Sequence, residues 1–170
     1  RLTDVTGVQT CALPIFKSIR PSLALRPDGN PVITWDEALY ADDNYDIFFS
    51  EWNGAGFTPA CNVSNTAYGA VYGSVQSQVV VTQSGEITVT WADRINANYR
   101  PNARRRVGAV WQSRTELTAM DPGPSLCPCA VGPYGNVHMI YCADYYIYYQ
   151  KWNGSSWSSQ IGRASCRERV

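Results

Sequence analysis

The chain has 170 residues, a formal net charge of zero at pH 7, and 45% hydrophobic against 16% charged side chains. That length suits one domain, and the neutral balance excludes a surface that globally attracts nucleic acid or acidic lipid. No apolar run approaches the roughly 18 residues a membrane helix needs, so no membrane span is predicted.

Taken in order, residues 1–16 read RLTDVTGVQTCALPIF. The stretch VTGVQTCALPI is similar to the conceptual translation of a sequencing-library adapter, and residues 161–170, IGRASCRERV, resemble the opposite adapter. Both sit at the extreme ends, so both are set aside from fold reasoning as adapter-derived tails. Residues 17–160 are then expected to be a metagenomic fragment of a longer reading frame.

The first unit spans about 19–65. Its opening hairpin is LAL at 23–25, the turn RPDGNP, and VITW at 32–35. Gly29 can take a positive φ, and Pro27 and Pro31 cannot donate to a ladder, so the chain reverses here. A second hairpin follows: IFFSEW at 47–52, then Asn53-Gly54, then Phe57. Asn-Gly between β-prone aromatic runs is a strong hairpin signal. The polar loop 36–46 joins the two. The second unit, about 75–118, has VVV at 79–81, a turn at Gly85, and ITVTW at 87–91 in strict alternation. A polar insertion is expected over 94–106, and the second hairpin reads as eroded around 107–113. Residues 115–125 read as a linker. The third unit, about 126–160, turns at Gly135 and ends in YIYYQKWNGSSWS, which matches DIFFSEWNGAGFT of the first unit without gaps from Asp46 on Tyr146 onward.

Three copies of one module follow. Gly29 aligns with Gly85 and Gly135; Trp35 aligns with Trp91 and Tyr141. A period of roughly 50 residues with four strands per copy describes propeller blades, which hide their apolar faces against one another. The predicted fold is all-β: a partial β-propeller of about three four-stranded antiparallel blades in an incomplete ring, with uncovered sheet faces at its two ends. No helix is predicted.

The pattern PSLALxxDGNPVxxW followed by DIFFSxWNGxxF resembles the repeats of sialidase-like β-propellers, the BNR or Asp-box repeat proteins. The resemblance implies a secreted or cell-surface protein and a propeller whose mouth binds glycan or protein. It departs from that family in two places. Asp28 and Gly29 are adjacent, with Trp35 further on than the Asp-box places it, and Arg20-Pro21 lacks the residue between them that catalytic members carry. Those members also need three arginines from separate blades, an acid/base Asp and a Tyr–Glu pair, so no catalytic residue is assigned.

The residues offer few other chemistries. Asp42, Asn44 and Asp46 form the D-x-N-x-D opening of a calcium loop, without the Gly and Glu that complete one. Arg100 and the run Arg104, Arg105, Arg106 could grip an acidic sugar or phosphate, as could Arg20, but a run of three splays and reads first as an exposed loop. Cys129 and Cys142 flank the Gly135 turn and could meet across a hairpin; Cys61 and Cys127 complete the set. His138 falls in a strand. Trp52, Phe57, Trp152 and Trp157 recur at matching places, which favours packing over sugar stacking. Asn62 and Asn153 head glycosylation sequons.

The expected function is a non-catalytic glycan- or protein-binding propeller module whose partners include the remaining blades of its parent chain. The alternatives are a piece of a sialidase-class glycoside hydrolase and a purely structural array. No cofactor, metal or nucleic-acid partner is expected.

Overall fold

The computed structural model describes residues 17–38, 44–66, 73–95, 98–118, 126–143 and 146–165. Three antiparallel sheets follow one another along the chain. Blade 1 is β1 (Lys17–Leu25), β2 (Pro31–Ala38), β3 (Tyr45–Glu51) and β4 (Cys61–Asn62), in that spatial order. Blade 2 is β5 (Ser74–Val81), β6 (Ile87–Ile95) and β7 (Asn98–Val107), with β8 (Val110–Trp111) and β9 (Thr115–Glu116) both paired to the outer side of β7. Blade 3 is β10 (Cys129–Val131), β11 (Val137–Ala143), β12 (Tyr146–Trp152) and β13 (Ile161–Ser165). No described residue is helical. Strand β13 pairs Tyr146 with Ser165, so the third sheet runs into the segment set aside above as adapter-derived.

The repeat is visible in the registers. Leu23 pairs with Ile33, Val79 with Val89 and Cys129 with Met139, as the alignment requires. The three turn glycines share a left-handed conformation, with φ of 81°, 82° and 76° at Gly29, Gly85 and Gly135. Trp35 lies opposite Phe48, Trp91 opposite Asn102 and Tyr141 opposite Tyr148.

Because side chains alternate across a sheet, each blade has a back face toward the preceding blade and a front face toward the next. Val32, Ile47 and Phe49 on the front of blade 1 meet Val79, Val89 and Trp91 on the back of blade 2. Ala92 and Ala103 on the front of blade 2 meet Met139 and Tyr141 on the back of blade 3. Trp91 is 0% exposed and Tyr141 1%. Trp35, at the same place on the back of blade 1, is only half-buried, since no blade precedes it in this structure. Leu23 (62% exposed), Leu25 and Phe57 share that open back, and Ile140 lies on the open front of blade 3.

The sequence reading of 94–106 as an insertion is corrected here. Most of it is β7, which pairs with β6 from Ile87↔Arg106 to Ile95↔Asn98. The second hairpin of blade 2 is not eroded either: Gly108 turns with φ 58°, matching Gly54 and Gly154, and Trp111 follows where the other blades have Phe57 and Trp157. Polar residues form this strand because both of its faces are covered. Arg104 and Arg106 point back, over the Trp111 and Phe49 rings, and Arg105 points forward over Trp152 at 4.1 Å. Arginine stems pack on apolar surface while their guanidinium groups stack on aromatic faces.

Cys129 and Cys142 do not meet. Cys129 lies opposite Met139 on the back face, whereas Cys142 is exposed on the front. All four described cysteines are thiols. Burial pushes the Cys129 thiol up to about 11, only slightly offset by the hydroxyl of Thr90. Because the thiolate is the reactive form, alkylation at pH 8 is expected, among the described cysteines, to modify Cys142 well before Cys129, and Cys129 only on unfolding. Peptide mass spectrometry over a labelling time course checks this, and equal rates would contradict the assignment of faces.

Candidate functional site

The innermost strands of blades 1 and 2 are each interrupted by a β-bulge, between Ile19 and Ser22 and between Val75 and Gln78. Arg20 and Gln76 occupy these bulges at repeat-equivalent positions, with φ of 52° and 61°. Non-glycine residues held in this region store strain, and such bulges re-aim side chains near sites. Asp36, 0% exposed on the front of β2, holds both bulges. It accepts from Arg20 Nε at 2.5 Å, from the Gln76 N–H at 2.7 Å and from the Ser77 N–H at 3.3 Å.

Between the two bulges opens a pocket of about 250 Å³. Its walls include Lys17, Arg20, Tyr45, Gln76, Arg94 and Tyr99. Three cations and two phenols therefore converge where the first strands begin, beside the end of β6 and the start of β7. Lys17 Nζ sits 5.9 Å and the Arg20 guanidinium carbon 5.5 Å from the centre of the Tyr45 ring. The buried Oε1 of Gln76 has no hydrogen-bond partner among the described residues. The rim depends on Gly73, whose φ is 117°: a Cβ there would come within 2.8 Å of the Tyr45 nitrogen. No carboxyl group lines the pocket among the described residues.

The other candidate residues lie elsewhere. Arg100 pairs with Glu116 at 3.3 Å, and Arg104 donates to the carbonyls of Val63 and Gln112 at 2.9 and 2.8 Å, tying blade 2 to blade 1. Neither reaches Arg20. Asp42 lies outside the described residues. Asp46 is buried and accepts from Asn62 at 2.6 Å, Ser64 at 2.8 Å and Thr66, so it anchors the turn after β4. Asn44 is half-buried beside it in sequence. No group of three or more His, Cys, Asp or Glu that could hold a metal occurs among the described residues. His138 stacks on Tyr149, its Nδ1 2.7 Å from the phenol oxygen. Trp52 packs on Phe57 and Trp152 on Trp157, edge to face.

Lys17, Gln76, Arg94 and Tyr99 were not picked out from the sequence. For Gln76 a signal existed: its repeat partner is Arg20, the one arginine there already under suspicion. Arg94 and Tyr99 were hidden by reading β7 as a loop.

No family model and no curated protein matches the chain. Solved structures do. A protein of unknown function from Dyadobacter fermentans superposes with a TM-score of 0.66 at 13% identity, over 89% of this chain and 56% of that one. A structure from a study of GH130 mannoside phosphorylases and of glycoside hydrolases targeting β-1,2-mannosidic linkages in Candida mannan gives 0.55 at 12%, over 85% and 49%. A fucose lectin from Kordia zhangzhouensis, in complex with methyl-fucoside, gives 0.54 at 13%, over 85% and 99%. The chain thus spans about half the length of the first two. Fold, topology and these superpositions define an all-β partial β-propeller.

Proposed function

We propose that this chain is part of a carbohydrate-binding β-propeller whose pocket between blades 1 and 2 receives a carboxylate-bearing sugar. The observation that carries this is the pocket itself: Lys17, Arg20 and Arg94 around two tyrosines, with an orphaned acceptor on Gln76 and no lining carboxyl group. Cations attract an acidic substituent, the tyrosines offer flat apolar faces, and the Gln76 carbonyl can accept from a sugar hydroxyl. The fold is shared with a glycosyl hydrolase from Bacteroides ovatus, a GH62 hydrolase and a fucose lectin, which supports a carbohydrate role.

Sialidase-type hydrolysis uses a Tyr nucleophile in place of one carboxylate, together with its partner Glu and an acid/base Asp. The described lining residues supply tyrosines and arginines but no Asp or Glu, so binding is the first reading and sialidase-type hydrolysis the second. A glycan binder of this kind acts outside the cell or at its surface, and that location belongs to the proposal.

Calorimetric titration with N-acetylneuraminate, glucuronate and methyl glucoside tests it. The two acids are expected to bind and to weaken with salt. Arg94→Gln should lower their affinity about tenfold, the loss of one charge-assisted contact. Equal binding of the neutral glucoside at this pocket would sink the acidic-sugar reading. Turnover of a fluorogenic sialoside that disappears in Arg20→Ala would establish the hydrolase instead.

A further inference from the structure

The two blade joints are built from equivalent positions, yet one is full and the other is not. At the outer half of the first joint, Phe49 of β3 projects from the front of blade 1. It meets Trp111 edge-on at 5.2 Å, and Arg106 covers it at 5.6 Å. The same position in blade 2 is Ala103: Phe49 lies opposite Thr34, and Ala103 opposite the equivalent Thr90. In the second joint, Trp157 stands where Trp111 stood, and Trp152 where Arg106 stood. A ring has become a methyl group, and a cleft of about 260 Å³ opens between blades 2 and 3.

Its walls carry the means to hold something. Besides Ala103 they include Arg105, Gln112, Ser155, Trp152 and Trp157. The indole Nε1 of Trp152 is buried and has no acceptor among the described residues. Arg105 already stacks on Trp152 and is paired with Glu86, and it is the one cation among the described lining residues of the cleft, against three in the pocket at the bulges. Close-packed interiors do not leave such gaps without consequence, and this one combines aromatic walls, hydroxyl and amide groups, and a donor in want of a partner.

We propose that the cleft is a second binding site, for a single neutral pyranose unit. One C–H face of the sugar would lie against Trp157, and a ring or hydroxyl oxygen would accept from Trp152 Nε1. The volume equals that of about eight or nine waters at ~30 Å³ each, which suits one ring and not an oligosaccharide. The inference rests on the carbohydrate reading above, but on different residues and a neutral instead of an acidic ligand.

The experiment is an NMR titration of the indole N–H region with methyl glucoside, methyl galactoside and methyl mannoside, and with N-acetylneuraminate as the acidic comparison. At least one neutral glycoside is expected to shift the Trp152 resonance saturably. Ala103→Phe copies the packing of the first joint and should abolish that shift while the melting temperature holds or rises. Trp152→Phe keeps a ring but loses the donor, and should weaken binding about tenfold, the loss of one hydrogen bond. Arg94→Gln should leave neutral-sugar binding intact while impairing the acid, so each site can fail alone. No response of Trp152 to any neutral glycoside, or an unchanged titration in a folded Ala103→Phe, would overturn the second site.

Discussion

Replacing Trp91 by alanine is expected to cost about 3–5 kcal/mol of stability, and replacing Trp35 only about 1–2 kcal/mol. The two residues hold the same place in successive blades, each on the back face. Trp91 is fully buried between blades 1 and 2, and its removal leaves a cavity among Val32, Val89 and their neighbours. Trp35 faces no blade and loses only its half-burial and its stack on Phe48 at 6.0 Å. Both indoles donate to an acid two residues on, Trp35 to Glu37 at 2.6 Å and Trp91 to Asp93 at 2.7 Å. Burial raises the Asp93 carboxyl above the ordinary aspartate value despite help from Arg114, Ser74 and Trp91. The native state therefore holds that proton more tightly than the unfolded chain does. This contribution to stability is fully present below about pH 4 and is lost as pH rises toward the native value. Trp91→Phe removes the indole donor, which should extend the loss to higher pH. Urea midpoints for the variants, measured across pH, check both parts. Equal costs at Trp35 and Trp91 would mean that blade contact does not set their energetics.

The blades were legible because their signals are local. Turn glycines need positive φ, and Asn-Gly and Asp-Gly mark reversals within a few residues, so Gly29, Gly85 and Gly135 could be aligned without knowing what they face. Strand β7 was illegible for the complementary reason. Its residues Arg104, Arg105 and Arg106 look solvent-bound by composition, and only the rings of Trp111 in their own sheet and of Phe49 and Trp152 in the two neighbouring sheets make them strand residues. The cysteines show the same limit. Spacing around a turn suggested a meeting of Cys129 and Cys142, but register decides the face, and here it puts Met139 opposite Cys129.

The pocket was half legible. Arg20 stood out by its place near the start of the module, but the sequence says nothing of a left-handed arginine or of its counterpart Gln76. Those conformations depend on Asp36, which reaches across to the next blade. Arg94 at the end of β6 and Tyr99 at the start of β7 enter as a cross-strand pair, which follows from pairing and not from composition. The outer cleft was invisible for a related reason. Its cause is one small residue, Ala103, and smallness signals a gap only after the equivalent Phe49 is seen filling the other joint.

Asp36→Ala is the other substitution of large expected effect, at about 3–5 kcal/mol, because two N–H groups at the joint lose a charged acceptor. The carboxylate is wholly enclosed, whereas the Arg20 side chain is 41% exposed, so the asymmetry matters. Arg20 can turn to water when Asp36 is gone. The N–H groups of Gln76 and Ser77 cannot, and each is left short of an acceptor inside the joint. Most of the cost therefore falls on the backbone of blade 2, in a residue forty positions away in sequence. Asp36→Asn keeps one carbonyl oxygen for the Gln76 N–H and should cost about half as much. Arg20→Gln should cost less again, because the enclosed carboxylate keeps both backbone N–H donors and the Gln amide can donate in place of the guanidinium. Urea denaturation ranks the three variants, and hydrogen exchange at the Gln76 amide reports the bond directly: protection should vanish in Asp36→Ala and persist in Arg20→Gln. If Arg20→Gln proved as damaging as Asp36→Ala, the charge pair and not the two amides would be what Asp36 contributes to the joint.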